Sequence, residues 1–264
     1  KEGDEVVKTL IDSFRYPRLG PGMMWERAAE RVEEQGGAVK LGQRVVGLEA
    51  SNNEERRWLV TAEDASGERT VYTADEVISS MPMRSLMRAL GGAPEPVTEA
   101  AEALRYRDFL IVALIVRGPD RFPDNWVYIH DPAVTVGRVQ TFKSWSPEMV
   151  PDPDTNCYGL EYFCSEGDDV WEQDEASLVE MAKAELVELG MAEADEIEDG
   201  HVVRQPKAYP VYDATYTTNV ATVRSYLEET YEGLHLIGRN GMHKYNNQDH
   251  AIMTAMLTVD NILA

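Results

Sequence analysis

Four polar side chains in a row, Asn246, Asn247, Gln248 and Asp249, stand just ahead of a segment rich in apolar residues. There Ala251, Ile252, Met253, Ala255, Met256, Leu257, Val259, Ile262 and Leu263 leave Asp260 as the only charge. Apolar side chains nearly all round a helix predict a buried helix. Asp249 suits its N-cap, so the first backbone N–H groups, which lack intrahelical acceptors, would face the amide-bearing loop. Such an N-terminus favours an anionic or electron-rich ligand, because aligned peptide dipoles leave partial positive charge there. An ordinary capping cluster is the competing explanation. Upstream, an apolar strand over Leu234 to Ile237 delivers Gly238 and Arg239. Arg239 by itself could equally pair with one of the chain's many carboxylates, and Tyr245 could be a core aromatic with its hydroxyl at the surface.

A second set lies near the start. Arg15, Tyr16, Pro17, Arg18 and Trp25 surround a Gly20-Pro21-Gly22 loop. Arginines beside aromatics suit an anionic substrate or cofactor, and a structured turn with surface arginines fits as well. No residue stands out as a catalytic acid, base or nucleophile. The five histidines show no H-x-x-x-H spacing and the two cysteines no C-x-x-C, so no metal site is expected. Cys157 and Cys164, seven residues apart on one expected strand, would point to opposite faces as free thiols. G-x-S-x-G and Walker A sequences are absent.

The elements that must position these groups alternate in an α/β manner. A helix is predicted over Met23 to Gln35, stopped by Gly36 and Gly37. Ala38 to Leu41, Arg44 to Ala50, Trp58 to Glu63 and Thr70 to Thr73 predict a small antiparallel meander, followed by a strand over Glu76 to Ser79 and a helix over Arg84 to Leu90. Gly91 to Pro96 is the best domain junction. Beyond it, Tyr106 to Val116, Trp126 to His130, Gly137 to Phe142 and Tyr158 to Ser165 predict a mainly antiparallel sheet. Asp174 to Leu189 predicts an amphipathic helix, and His201 to Gln205 a strand that Pro206 and Pro210 should break. Thr217 to Glu229 predicts another helix.

The chain has 264 residues, 43% of them hydrophobic, and a formal charge of −22 from 47 acidic and 25 basic residues. That field repels nucleic acid and anionic lipid, so neither is an expected partner. The longest apolar run, Phe109 to Val116, is too short to span a bilayer, and a cytoplasmic location is the expectation.

The stretch GLHLIGRNGMHKYNNQDHAIMTAML resembles the C-terminal flavin-contacting segment of the flavin amine oxidase superfamily, most of all its UDP-galactopyranose mutase-like and protoporphyrinogen oxidase-like branches. FRYPRLGPGMMWERAAERVEEQGGAVKLGQRVVGLE and TADEVISSMP are similar to two further segments of that superfamily. The resemblance implies an α/β fold: a discontinuous Rossmann-like FAD-binding domain, residues 18–94 and 231–264, interrupted by a mainly antiparallel-sheet substrate domain, residues 95–230. It implies FAD contacts from Val46, Pro82, Gly238, Arg239, Asn247, Gln248 and Asp249, and substrate contacts from Tyr245, Arg15, Arg18 and Trp25. It also implies a small-molecule substrate, which is a nucleotide sugar in the mutase-like case. No G-x-G-x-x-G turn is present, and Lys1 to Asp12 has the character of an element already under way, so the expectation is the C-terminal part of a longer flavoprotein. The implied activity is oxidation by hydride transfer to flavin. Its rivals are a mutase with no net redox change and a module that does not bind FAD by itself.

Overall fold

Gly36, at φ 84°, ends the first helix as its sequence predicts. The computed structural model describes residues 14–53 and 56–264. The expectation for Lys1 to Asp12 lies outside the described residues. In chain order the elements are α1 (Gly22–Glu34), β1 (Arg44–Asn53), β2 (Arg56–Glu63), β3 (Arg69–Ala74), β4 (Val77–Ser79), α2 (Met83–Leu90), α3 (Glu95–Glu102), β5 (Tyr106–Arg117), β6 (Trp126–Tyr128) and β7 (Arg138–Thr141). They continue with α4 (Phe142–Trp145), β8 (Thr155–Cys164), α5 (Glu175–Glu188), β9 (Ile197–Pro210), α6 (Tyr216–Thr230), β10 (Leu234–Leu236), α7 (Gly238–Gly241) and α8 (Gln248–Leu263). Mixed helices and sheets of this kind are the expected α/β class.

The chain forms two compact units interleaved in sequence. The first holds the described residues up to Val39 with Ile111–Tyr162 and Gln173–Val203, and the second holds Lys40–Leu110, Phe163–Glu172 and Arg204–Ala264.

Most of a five-stranded sheet, in the order β6-β7-β8-β5-β9, lies in the first unit, and β6-β7 and β7-β8 pair antiparallel. Val112, Leu114, Val116, Val139, Leu160 and Tyr162 are buried there, as are Leu178, Ala182 and Leu186 of α5. A Cβ on Gly200 would lie 2.6 Å from Val179 Cγ1 and 3.0 Å from Leu114 Cδ2, so the missing side chain lets α5 close on the sheet. Asp174 caps α5 by accepting the Ser177 N–H at 2.8 Å.

The second unit contains the meander β1-β2-β3 and a parallel pair, β10-β4, in which Leu234, His235 and Leu236 face Val77, Ile78 and Ser79. Its core gathers Leu48, Trp58, Met83, Leu86, Met87, Leu104, Val223 and Leu227. The i, i+3, i+4 spacing of Met83, Leu86 and Met87 turns one face of α2 inward.

Several expectations are corrected. Ala38 to Leu41 forms no strand, and Leu41 is 89% exposed in a turn with Gly42. Strand β9 runs through Pro206, which an edge strand tolerates because a proline there removes no ladder donor from a central position. The helix α3 has no counterpart among the sequence expectations, since it spans only eight residues and its inward face, Val97, Ala100 and Ala101, is mostly alanine. Helix α8 is not buried: none of its residues is, and Met253, Met256 and Leu257 are more than half exposed, because the described residues cover only one side of it. Asp249 is not its N-cap either. Asn247 holds that position without a side-chain cap bond, and Asp249 instead accepts the His250 N–H at 2.9 Å.

A buried carboxylate ties the first unit together. Glu185 on α5 accepts the Thr135 N–H at 2.6 Å, the Val136 N–H at 3.2 Å and the Tyr162 hydroxyl at 2.9 Å. Burial and the Glu185 charge push the Tyr162 pKa up, so the phenol remains a donor. Glu185→Ala leaves three donors unpaired, those of Val136 and Tyr162 buried, and is expected to cost about 3 kcal/mol of unfolding free energy. Chemical denaturation checks this, and a loss under about 1 kcal/mol would show the bonds to be dispensable.

Candidate functional site

The polar loop of the C-terminal segment is seated by a glycine. Where β4 ends, the Ser79 carbonyl oxygen lies 2.5 Å from the place a Cβ on Gly241 would occupy, so only hydrogen fits between α7 and β4. Gly238, at φ 68°, donates its N–H to Thr254 Oγ1 at 2.9 Å and thereby fastens α7 to α8.

Arg239 sits half-buried between these anchors and forms no ion pair among the described residues. Its Nε and Nη2 donate to the Asn246 carbonyl at 2.9 and 2.7 Å, and its Nη1 donates to the Ala208 carbonyl at 3.1 Å. The guanidinium also lies over two tyrosine rings, 5.1 Å from the Tyr209 centroid and 4.7 Å from that of Tyr245. Tyr245 is 52% exposed, and its N–H donates to the Tyr212 hydroxyl at 2.6 Å. Arginine carries five N–H donors, and this pattern leaves two without a protein acceptor. Asn247, Gln248 and Asp249 are exposed at the start of α8.

Val46 and Pro82 line one cleft of about 660 Å³ in the same unit, with Arg44, Arg88, Lys207 and Asn240. No carboxylate lines this cleft, although the chain has 47 acidic residues. The N-terminus of α2 beside Pro82 has no side-chain cap, so its dipole adds to the positive field. Asn240 bridges cleft and loop, donating from Nδ2 to the Lys207 carbonyl at 3.0 Å, while its buried Oδ1 has no partner. Asn246 Oδ1 is likewise buried and unpaired. A ligand carrying donors would meet both.

The early cluster belongs to the first unit. Arg15 and Arg18 are exposed, Arg18 pairs with Glu148 at 2.6 Å, and Trp25 is 48% exposed on α1. Tyr16 stacks on Trp145 at 5.0 Å, so the segment is a structured turn with surface arginines. Cys157 and Cys164 form no disulfide, and burial pushes both thiols up to about 11. Among the described residues no cluster of His, Cys, Asp or Glu could hold a metal ion, and no helix is long and apolar enough to cross a membrane.

Lys207, Tyr209, Tyr212 and His243 escaped the sequence argument. Each is placed by contacts remote in sequence, and only the spacing of Tyr209 and Tyr212 about Pro210 hinted at a shared surface. His243 is fully buried, meets the Tyr106 ring edge-on at 4.7 Å, and has neither ring nitrogen paired.

Burial, helped by the nearby Arg84 charge, pushes the His243 pKa down to about 4. In the unfolded chain the imidazole titrates near 6.5. The unfolded state therefore binds more protons between those values, and stability falls as pH drops from about 6.5 to about 4, by an amount on the order of 2–3 kcal/mol. His243→Phe should flatten that slope in urea melts across the window; an unchanged slope would place the acid sensitivity elsewhere. Gly241→Ala should cost about 1–3 kcal/mol by forcing α7 from β4, and wild-type stability in that variant would contradict the close approach.

The family model for flavin containing amine oxidoreductases matches residues 6–263. No curated protein matches the chain. Among solved structures it is similar to a reduced UDP-galactopyranose mutase, with TM-score 0.77, 18% identity and coverage of 94% of this chain and 52% of that one. It is also similar to a putative protoporphyrinogen oxidase from Exiguobacterium sp. 255-15, with TM-score 0.69, 16% identity and coverage of 92% and 51%. An oxidoreductase from Methanosarcina mazei follows, with TM-score 0.59, 14% identity and coverage of 90% and 54%. The chain thus spans about half the length of these structures, and the likeness is one of fold. With residues 6–263 of its 264 matched by that family model, the chain belongs to the flavin-containing amine oxidoreductase family.

Proposed function

We propose that the protein is a FAD-dependent oxidoreductase acting on a small-molecule substrate. The observation that carries this reading is the cleft beside Val46 and Pro82, where no carboxylate is in the lining and Arg44 and Lys207 form no ion pair among the described residues, Arg88 being held by Glu102, in a chain of net charge −22. A dinucleotide brings a pyrophosphate that such a lining attracts, and an uncapped helix N-terminus attracts it further.

The residues present fit the group. Arg44 and Lys207 would hold phosphate charge, the exposed amides of Asn247 and Gln248 with Asp249 would meet the ring system, and the two spare N–H groups of Arg239 would reach the ribityl or phosphate oxygens. Gly238 admits close approach. When bound, the flavin supplies the electron-accepting centre for hydride transfer. The protein's part is orientation: Tyr209 and Tyr245 fix the plane of the Arg239 guanidinium, and Tyr212 fixes the backbone of Tyr245. Tyr245 is assigned to substrate. In this proposal residues 18–94 and 231–264 serve chiefly the cofactor and 95–230 chiefly the substrate, Lys207 and Tyr245 being the exceptions.

A second reading, a mutase-like enzyme on a nucleotide sugar with no net redox change, draws support from Tyr245, whose half-exposed ring beside Arg239 would suit a diphosphate.

Arg239→Ala in the intact protein should weaken flavin retention by roughly 1.5–3 kcal/mol, read as flavin absorbance per protein after gel filtration; undiminished occupancy would sink the assignment. Tyr245→Phe should lower turnover while leaving the flavin spectrum intact, and full activity would remove Tyr245 from the substrate site. Oxidation of substrate with matching flavin bleaching favours the oxidoreductase, whereas isomerisation of a nucleotide sugar without net electron transfer favours the mutase. An intact protein that takes up no flavin would overturn both.

A further inference from the structure

Among the described residues only two other than glycine take a left-handed backbone, Lys207 (φ 55°) and His243 (φ 46°). Strain of this kind is costly and persists only where the surroundings impose it, which is why it collects at functional sites. At Lys207 the imposing groups are explicit. Its N–H donates to Asp108 Oδ1 at 2.6 Å, and its carbonyl accepts from Asn240 Nδ2 at 3.0 Å. Asp108 is 4% exposed, and its second oxygen accepts the Glu166 N–H at 2.7 Å. Both oxygens of the buried acid are therefore spent on backbone, and neither neutralises a side chain.

A pocket of about 200 Å³ opens here, lined by Arg84, Arg105, Tyr106, Asp108, Glu166 and Lys207. Arg57, Arg69 and Arg88 in the same unit each pair with a glutamate. Arg84, Arg105 and Lys207 form no ion pair among the described residues. Three cations face two carboxylates, one of them occupied and the other, Glu166, exposed to water, so the pocket keeps a positive balance within a strongly acidic chain. Arg84 lies over the Tyr106 ring at 5.4 Å, and its Nε is shielded from water without an acceptor. His243 meets the same ring edge-on with neither ring nitrogen partnered, so its one N–H also lacks an acceptor. Buried donors without acceptors mark a place where an acceptor-bearing group belongs.

We propose that this pocket binds a small oxyanion, a phosphate or carboxylate group, through Lys207, Arg84 and Arg105. The site does not rest on the flavin reading, although Lys207 also lines the cleft assigned there. The oxyanion is either a free ion or the anionic end of a larger ligand, and the chemistry of recognition is common to both.

Isothermal titration at low ionic strength with inorganic phosphate and with malonate tests the proposal, and one bound oxyanion per chain is expected. Glycine adopts a left-handed backbone freely, so Lys207→Gly removes the ammonium while relieving the strain. That variant should melt no lower than wild type and bind the oxyanion at least about tenfold more weakly, as should Arg84→Gln. Arg69→Gln, remote from the pocket, should bind as wild type does. Tighter binding of glycerol phosphate than of inorganic phosphate would mark the anionic end of a larger ligand, and the reverse a free ion; either outcome supports the site. No uptake by the wild type, or uptake that Lys207→Gly and Arg84→Gln leave unchanged, overturns it. Displacement of the bound phosphate by FAD overturns it as a separate site and makes the pocket part of the cofactor cleft.

Discussion

Gly241 passes the Ser79 carbonyl at a distance that admits no side chain, and the arrangement of the candidate site follows from that approach. The parallel pair β10-β4 ends at this point, so α7 begins directly on the strand end and its loop cannot drift. From that fixed start Arg239 reaches two backbone carbonyls, one in its own loop and one at Ala208. A guanidinium flanked by tyrosine rings and bound to carbonyls is a strut as much as a charge, which is why it needs no carboxylate partner in so acidic a chain.

Charge distribution supplies the second constraint. Most acidic residues are solvated or spent locally, as with Glu102 on Arg88 and Glu63 on Arg69. Two buried carboxylates serve backbone, Asp108 holding Lys207 and Glu166 and Glu185 holding Thr135 and Val136, while buried Glu161 is spent on Arg138. Such placement removes negative charge from the cleft without removing it from the chain. A cleft lined by cations then persists inside an anionic field, and that contrast, more than any single side chain, favours an anionic cofactor.

Much of the framework was legible in the residues. Turn residues and alternation gave the meander β1-β2-β3, glycines bounded α1 and α2, and Asp174 marked the start of α5. The glycine–arginine step after β10 was visible as a unit. Less legible was β9, because a proline breaks a central strand but not an edge, and edge position is a property of the sheet. The exposed face of α8 was missed for a related reason: apolar composition states what a helix prefers, while burial depends on what lies against it.

By itself the sequence determined the fold class, the family segment around Gly238 and Arg239, and the acidic character of the surface, since these rest on local propensity, spacing and composition. Tertiary structure alone decided that Val46 and Pro82 share a cleft with Lys207, that Tyr209 and Tyr245 clasp Arg239, and that Lys207 and His243 accept a left-handed backbone. Those facts depend on hydrogen bonds and ring contacts between residues far apart in the chain. No local pattern encodes the partner that makes a strained backbone or an unpaired cation stable.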